Sequence, residues 1–385
     1  MGSRYSAARL ATIDRSTPAH ILVVVYIFLA VVNSLTQTSV PRRLLVLVGV
    51  VLLGYEALGF RSMKHEQYFL YLVGSWILLA ITLNGMLFGQ WVQESVYVPG
   101  SIGVALALCR GHVSRQTTKV IFFTTAVYFL YRLATVGSPG AIHRILVSGS
   151  ANGISELMII LCGLHYAVSH AQGARIRVFP AVLCLIVSSL TLGRSGMAAS
   201  TLLLAGVAVY DLAQERNRRL LAYKIVSYST LAIAAVVVLL PRLDLISFAF
   251  ERFSAFGLGS EGRDKIWGEY GQSLATGAAA LVGHGREEAF GGYTNMHSSY
   301  ILWHKSMGAM AIPLYLIALL AAVRALVKDW VLFCVLAALL LRAFFDETIL
   351  PFRLYDFHFY YLVCTILVTL APGWRPAHVP RAVEA

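Results

Sequence analysis

The recurrence of long apolar runs is the feature that most constrains how this 385-residue chain can fold. Runs such as ILVVVYIFLAVV (21–32) and LLLAGVAVY (202–210) do not alternate apolar and polar residues, as the strands of a membrane β-barrel would. Only 13% of the residues are charged, which is about half the share in a typical soluble domain. These features predict an all-α, polytopic membrane protein, and we expect residues 1–385 to form a single membrane domain.

The number of spans follows from the lengths of the runs, because a membrane-spanning helix needs about 20 apolar residues. Twelve helices are predicted, over 20–36, 43–59, 68–88, 96–109, 119–136, 152–170, 178–193, 196–211, 223–241, 297–323, 330–345 and 357–371. As one helix, the run 178–211 would extend about 51 Å, far beyond a hydrocarbon core of about 30 Å. We therefore predict a hairpin that turns at LGRSG (192–196), where Gly193 and Gly196 suit a tight turn.

The positions of the basic residues predict the orientation of these helices. The net charge is +12, but most Lys and Arg lie in short loops between apolar runs, with clusters in 110–119, 175–177 and 216–224. The hairpin brings these clusters to one side, which the positive-inside rule assigns to the cytoplasm. Both termini are then cytoplasmic, and the outer face carries LGRSG, the loop 346–356 and a large loop, 242–296, between the ninth and tenth helices. This distribution also argues against nucleic acid as a partner.

Several cationic residues lie on the predicted outer face, where the positive-inside rule predicts few. Arg194 occupies the hairpin turn, and the large loop contains Arg242, Arg252, Arg263, Lys265 and Arg286. A guanidinium matches the geometry of phosphate, so these residues favour a site for a phosphate or diphosphate headgroup. Two alternatives remain. Arg194 could snorkel to the headgroup level and anchor the hairpin, and a long loop can cross the membrane regardless of its charge.

Three histidines lie where the large loop meets the tenth helix: His284, His297 and His304. His297, at the helix entrance, is a candidate general base, because imidazole titrates near neutral pH. A structural histidine is the alternative at such a position. His297 and His304 do not form a joint metal site, since seven residues of helix separate them by about 10.5 Å. Combinations of a histidine with the acidic residues Asp346, Glu347 and Asp356, or with His358, remain open as metal ligands.

Three patterns occur in order along the chain: LGRSG (192–196), SEGRDKIW (260–267) and GHGREEAFGGYTNMHSSYILWHKSMG (283–308). Together they resemble the O-antigen polymerase/ligase family of bacterial envelope polysaccharide assembly. The second is similar to that family's small-Gly-Arg-x-x-Ile-Trp pattern at the start of a large periplasmic loop. The third resembles its Gly-x-Gly, His-(Asn/Ser)-x-(Tyr/Phe)-Leu and Gly pattern. The first departs from the family's Ser-Arg-Gly motif, because Gly193 precedes Arg194 and Ser195 follows it.

This resemblance implies a metal-independent, GT-C-like membrane glycosyltransferase without a cofactor. Its donor would be an undecaprenyl-diphosphate-linked glycan, and its active site would face the periplasm from the bacterial inner membrane. Arg194 and Arg263 would bind the diphosphate, and His297 would position or deprotonate the acceptor hydroxyl. Further candidates for contacts with phosphate or sugar are Arg286, Arg353, Lys265 and Tyr293; the tyrosine would stack on a sugar ring, although aromatic residues are ordinary at membrane interfaces.

The acceptor distinguishes the two activities of the family. A polymerase would join lipid-linked repeat units into O-antigen or exopolysaccharide, with a chain-length regulator protein as a further partner. A ligase would transfer the glycan to lipid A-core. We favour the polymerase as the commoner kind of member. A secondary transporter or flippase is the competitor from another class, but the predicted spans carry few ionisable residues at mid-helix, where a transport path needs them.

Overall fold

A computed structural model describes residues 17–36, 39–58, 65–89, 93–135, 145, 152–191, 193–215, 217–239, 261–285, 287–294, 296–349 and 355–369. Within these ranges the α-helices are α1 Thr17–Thr36, α2 Ser39–Leu58, α3 His65–Leu87, α4 Tyr97–Cys109, α5 Arg115–Thr135, α6 Asn152–Ala171, α7 Phe179–Leu190, α8 Arg194–Ala213, α9 Arg218–Leu239, α10 Glu261–Ser273, α11 Ala278–Val282, α12 Ser299–Met307, α13 Ile312–Lys328, α14 Trp330–Phe345 and α15 Asp356–Cys364. An isolated bridge between Phe290 and Tyr293 is the only β-type pairing in the described part of the chain. The predicted sites at Arg286 and Arg353 lie outside the described residues.

The predicted all-α membrane class is confirmed by these helices. Among the described residues, five helical segments are long and apolar enough to cross a membrane: Pro18–Thr36, His65–Leu87, Asn152–Ala171, Arg194–Ala213 and Ser299–Lys328. The same ranges contain four shorter apolar helices. The total of twelve spans stays a prediction. The run 178–211 is divided as expected, because α7 ends at Leu190, α8 begins at Arg194, and the two helices pack against each other.

The predicted helix 297–323 is interrupted at Gly308. α12 ends at Met307, a short 3-10 helix covers Gly308–Ala311, and α13 continues to Lys328. Gly308 and Gly283 both have positive φ, and each lies against the backbone around the other. A Cβ on Gly283 would collide with the carbonyl oxygens of His304 and Lys305. The end of α11 crosses the chain at Gly308 so closely that glycine is required at both positions. This crossing explains why the predicted helix is interrupted there.

Contacts between helix termini identify the two ends of the bundle. At the first end, His20 Nδ1 lies 2.8 Å from the carbonyl oxygen of His112, and the His170 Nε2 to Asp329 Oδ2 distance is 2.6 Å. At the same end Lys224 forms an ion pair with Asp211, with 2.9 Å between Nζ and Oδ2. The basic clusters of the short loops therefore share the first end. At the opposite end, here called the site end, α6, α8 and α12 begin and α14 finishes.

The last helix begins inside the bundle. Phe357 packs edge-on against Tyr26, which lies near the middle of α1, with 5.8 Å between ring centroids. Asp356 is only 2% exposed at this depth. Residues that precede α15 are hydrogen-bonded to the bundle. Trp303 Nε1 donates to the Ile349 carbonyl at 2.7 Å, and the Tyr355 hydroxyl donates to the Ala30 carbonyl at 2.8 Å. Irregular backbone at membrane depth needs such partners. The end of the predicted outer loop 346–356 therefore lies within the helices.

The large loop packs onto the site end through its own small core. Ile266 and Tyr270 of α10 are buried together with Phe290 and Met296, and Trp267 packs beside them. Apolar side chains three or four residues apart share one face of a helix, so α10 presents this face to the bundle. The opposite side of α10 carries exposed residues that include Lys265. This packing of α10 fixes the position of Arg263, near the start of that helix, at the site end of the bundle.

Candidate active site

Arg194 is the first residue of α8 and lies half-buried at the site end. Gly193 before it is extended, with φ −82° and ψ 103°. The turn packs against the start of α6, because a Cβ on Gly193 would meet the side chain of Asn152 and a Cβ on Gly196 would meet that of Ser155. The two glycines of LGRSG therefore allow a close helix approach as well as a turn. Both contacts hold Arg194 at a defined position beside α6.

Arg263 lies close to Arg194 although the two are far apart in sequence. The Arg263 guanidinium is 5.8 Å from the centre of the Phe345 ring, at the end of α14. Burial lowers the pKa of Arg263 from its ordinary value. Asp346 opposes this shift, while the positive charges of Arg194 and Arg342 add to it. An arginine stays charged at neutral pH, so positive charge is concentrated around Arg263, with the Asp346 carboxylate beside it.

His297 has a left-handed backbone, with φ 49°, and it is the only described residue other than glycine with positive φ. The backbone of its neighbour Met296 is held by hydrogen bonds at both the carbonyl and the amide. Trp267 Nε1 donates to the Met296 carbonyl at 3.0 Å, and the Met296 amide donates to Glu347 Oε1 at 2.8 Å. Tyr293, 54% exposed, lies edge-on to the His297 ring with 6.4 Å between centroids. Backbone strain maintained by such contacts is commonest at functional sites.

Asp346 lies beside Arg342, Arg263 and His297. Its carboxylate accepts hydrogen bonds from Arg342 Nη2 at 2.9 Å and from the amide of Glu347 at 3.0 Å. Burial alone would raise the pKa of Asp346, but the charge and hydrogen bonds of Arg342, the Glu347 amide and His297 together hold the pKa below its usual range. The group is therefore an anion at neutral pH. A carboxylate beside an imidazole can orient the ring and stabilise its protonated form.

Arg342 is the main residue that the sequence did not reveal. It lies within the apolar helix α14 and is completely buried. Nη1 donates to Ser195 Oγ at 2.5 Å, and Nη2 donates to the carbonyl of Asn152 at 3.1 Å as well as to Asp346. A single arginine near the end of an apolar run is typical of a snorkelling residue. The signal that could have identified it is the neighbouring Asp346, four residues later on the same helical face.

The other two histidines of the loop have structural contacts on both ring nitrogens. His304 Nε2 lies 3.0 Å from the Ala280 carbonyl, which can only accept. In the neutral ring Nε2 therefore donates, and Nδ1 accepts from the Tyr270 hydroxyl at 2.6 Å. His284 contacts Ser273 Oγ at 2.8 Å and Glu288 Oε2 at 2.9 Å. Of the three histidines of the stretch, His297 is the one whose charge acts on Asp346.

Of the residues predicted for the site, Arg263 and His297 lie beside Asp346, and Arg194 lies beside Arg263. Tyr293 borders His297, and Lys265 is exposed on α10. Within the described ranges, no group of three or more His, Cys, Asp or Glu residues is arranged to hold a metal ion. In comparisons with known proteins, neither a family model nor a curated protein matches this sequence.

Proposed function

We propose that the protein is a membrane glycosyltransferase whose donor is a glycan linked to undecaprenyl diphosphate. The observation that carries the proposal is that Arg263 and His297 lie beside Asp346 while Arg194 lies beside Arg263, although these residues come from three separate parts of the sequence. A transferase of this kind needs positive charge for the leaving diphosphate and a base for the incoming hydroxyl. Both occur at one end of a helical membrane bundle, where a polyprenyl tail can stay in lipid.

Arg194 and Arg263 bind the diphosphate in this proposal. Preorganised positive charge stabilises the charge that develops on a leaving group, and it does so most strongly in a site that excludes water. Arg263 is partly desolvated and lies beside two other guanidinium groups, so it gains a favourable interaction when a dianionic group enters. Arg286, Arg353 and Lys265 extend the phosphate or sugar contacts, and Tyr293 stacks on a sugar.

His297 takes the proton of the acceptor hydroxyl. The acceptor oxygen forms a bond to the anomeric carbon of the donor while the bond from that carbon to the phosphate oxygen breaks. Undecaprenyl diphosphate departs with the bonding electrons, and the acceptor proton passes to His297, whose positive charge Asp346 stabilises. A positioned base contributes about 10²- to 10⁴-fold to such a rate. The reaction needs neither a metal ion nor a cofactor.

The acceptor is a second lipid-linked repeat unit in the polymerase that we favour, and lipid A-core in the ligase that is its alternative. We place the protein in the bacterial inner membrane with a GT-C-like arrangement of twelve spans and both termini in the cytoplasm. The site end then faces the periplasm. The concentration of the basic clusters at the first end supports this orientation.

A secondary transporter is the second candidate, because one observation favours it. Asp356 is buried near the middle of the bundle, at the start of a helix that does not span it. Ionisable groups at mid-depth on discontinuous helices are typical of transport sites. However, the arginines and His297 gather at one end of the bundle, which suits catalysis at a surface better than alternating access.

The test is transfer by the purified protein with lipid-linked repeat units alone. A ladder of products supports a polymerase, whereas product formed only after addition of lipid A-core supports a ligase. His297→Ala should abolish transfer, while Lys224→Met, which removes an ion pair at the first end, should leave it unchanged. Absence of transfer with either acceptor, together with uptake of the lipid-linked glycan into proteoliposomes that Asp356→Asn abolishes, would favour the transporter.

A further inference from the structure

Arg342 is a buried cation that contacts three separate elements. Its guanidinium reaches Ser195 at the start of α8, the carbonyl of Asn152 at the start of α6, and Asp346 after α14. Burial of an arginine in an apolar helix is costly unless its donors find acceptors. Three acceptors from three elements therefore fix the guanidinium, and through it they fix these elements relative to one another.

Arg342 contacts two side chains, Ser195 and Asp346, and each of them is connected to one half of the site. Ser195 follows Arg194 directly, so its hydrogen bond to Arg342 holds the turn that carries Arg194. Asp346 lies beside His297, and the Asp346 carbonyl accepts from the amide and Oγ of Ser299, two residues after His297. Arg342 is thus the direct bridge between the hairpin of Arg194 and the segment that carries His297.

We propose that Arg342 is a positioning residue that links the diphosphate-binding half of the site to the proton-accepting half. The proposal rests on the proposed function and adds a residue to it. Arg342 touches neither substrate in this role: its Ser195 bond holds Arg194 in place for the diphosphate, and its Asp346 bond keeps the carboxylate ionised and oriented toward His297.

The two contacts predict separable effects. The charged groups that face Asp346 are Arg342 on α14, His297 before α12 and Arg263 on α10, with the Glu347 amide beside it. Loss of Arg342 removes the main opposite charge, so the pKa of Asp346 rises. Because the reaction needs ionised Asp346, the acid limb of the pH–rate profile then moves to higher pH. Loss of the Ser195 bond alone weakens diphosphate binding and leaves that limb in place.

The experiment compares Arg342→Met, Arg342→Lys and Ser195→Ala with Lys224→Met, which loses a matched 2.9 Å ion pair at the first end. Titration of Asp346 is followed by infrared difference spectroscopy against Asp346→Asn, and affinity for undecaprenyl diphosphate is measured directly. Arg342→Met should raise the pH at which Asp346 protonates and weaken binding. Ser195→Ala and Arg342→Lys should weaken binding about three- to tenfold with little change in the titration. Lys224→Met should change neither property.

An unchanged Asp346 titration in folded Arg342→Met would overturn the proposal. If Arg342→Met does not fold, unchanged affinity in both Ser195→Ala and Arg342→Lys would overturn it instead. Neither measurement requires turnover. If the variants show these effects but the wild-type protein transfers no glycan, the proposed function is contradicted. The role of Arg342 as a positioning residue for anion binding then still stands.

Discussion

The carbonyl oxygen of Asp346 accepts two hydrogen bonds from Ser299, one from the amide at 3.1 Å and one from Oγ at 3.0 Å. Ser299 Oγ in turn accepts from the amide of Ile349 at 3.0 Å. The start of α12 is therefore joined to the segment after α14 by a closed set of bonds. Because His297 precedes this joint by two residues, its distance from the Asp346 carboxylate depends on it.

Ser299→Ala should destabilise the protein and slow transfer. The substitution leaves the Ile349 amide and one lone pair of the Asp346 carbonyl buried without their partner, which costs about 1–3 kcal/mol. We expect a lower midpoint of thermal unfolding in detergent and a reduced kcat at saturating donor. Ser298→Ala is the matched control, since the Ser298 side chain makes no capping hydrogen bond to α12. Equal effects of the two substitutions would show that the Ser299 bonds do not position the site.

Gly196→Ala should push α8 away from α6. A Cβ at this position would overlap Oγ and Cβ of Ser155, and overpacking of this kind costs about 1–3 kcal/mol. Unfolding in detergent should show the loss, and a second substitution, Ser155→Gly, should restore part of it. Gly54→Ala on α2 is the control, because nothing lies near its added Cβ. Additive effects of Gly196→Ala and Ser155→Gly would contradict the close packing of the two helices.

The apolar runs predicted the helices well where composition changes sharply at their ends. The predicted helices 152–170 and 330–345 match α6 and α14 closely, and the hairpin at LGRSG was required by length alone. The break at Gly308 was missed because its cause, the crossing with Gly283, lies in a different element. The depth at which α15 begins was missed for the same reason: the Tyr355 bond to the Ala30 carbonyl joins residues at opposite ends of the chain.

The role of the predicted site residues stays a prediction. Arg194, Arg263 and His297 stood out in the sequence, because each interrupts an apolar or turn-like stretch. Arg342 did not, because its partners Ser195 and Asn152 are 147 and 190 residues away. Helical periodicity can relate Arg342 to Asp346, but it carries no information about such distant contacts. The guanidinium cluster is therefore a property of the fold.

Lys305→Met should loosen the large loop without unfolding the bundle. Lys305 is fully buried, and its Nζ donates to the carbonyls of Glu288 at 2.6 Å and Thr294 at 3.2 Å. A methionine fills similar space but leaves both carbonyls without this donor. Hydrogen exchange measured by mass spectrometry should accelerate in peptides covering 287–297, while peptides of α6 and α8 should exchange as in the wild type. Unchanged exchange in the loop would contradict the role of Lys305.

Substitutions at His297 can distinguish its proposed role as a base from the effect of its left-handed backbone on stability. Its φ of 49° lies in the left-handed region, which asparagine tolerates and β-branched residues do not. His297→Asn should therefore keep the unfolding temperature near that of the wild type, whereas His297→Val should lose about 1–3 kcal/mol. Both should lose transfer by about 10²-fold or more, since neither supplies a base. Retained transfer in His297→Asn would reject the base assignment, and equal stability of the two variants would show that the left-handed backbone relaxes without cost.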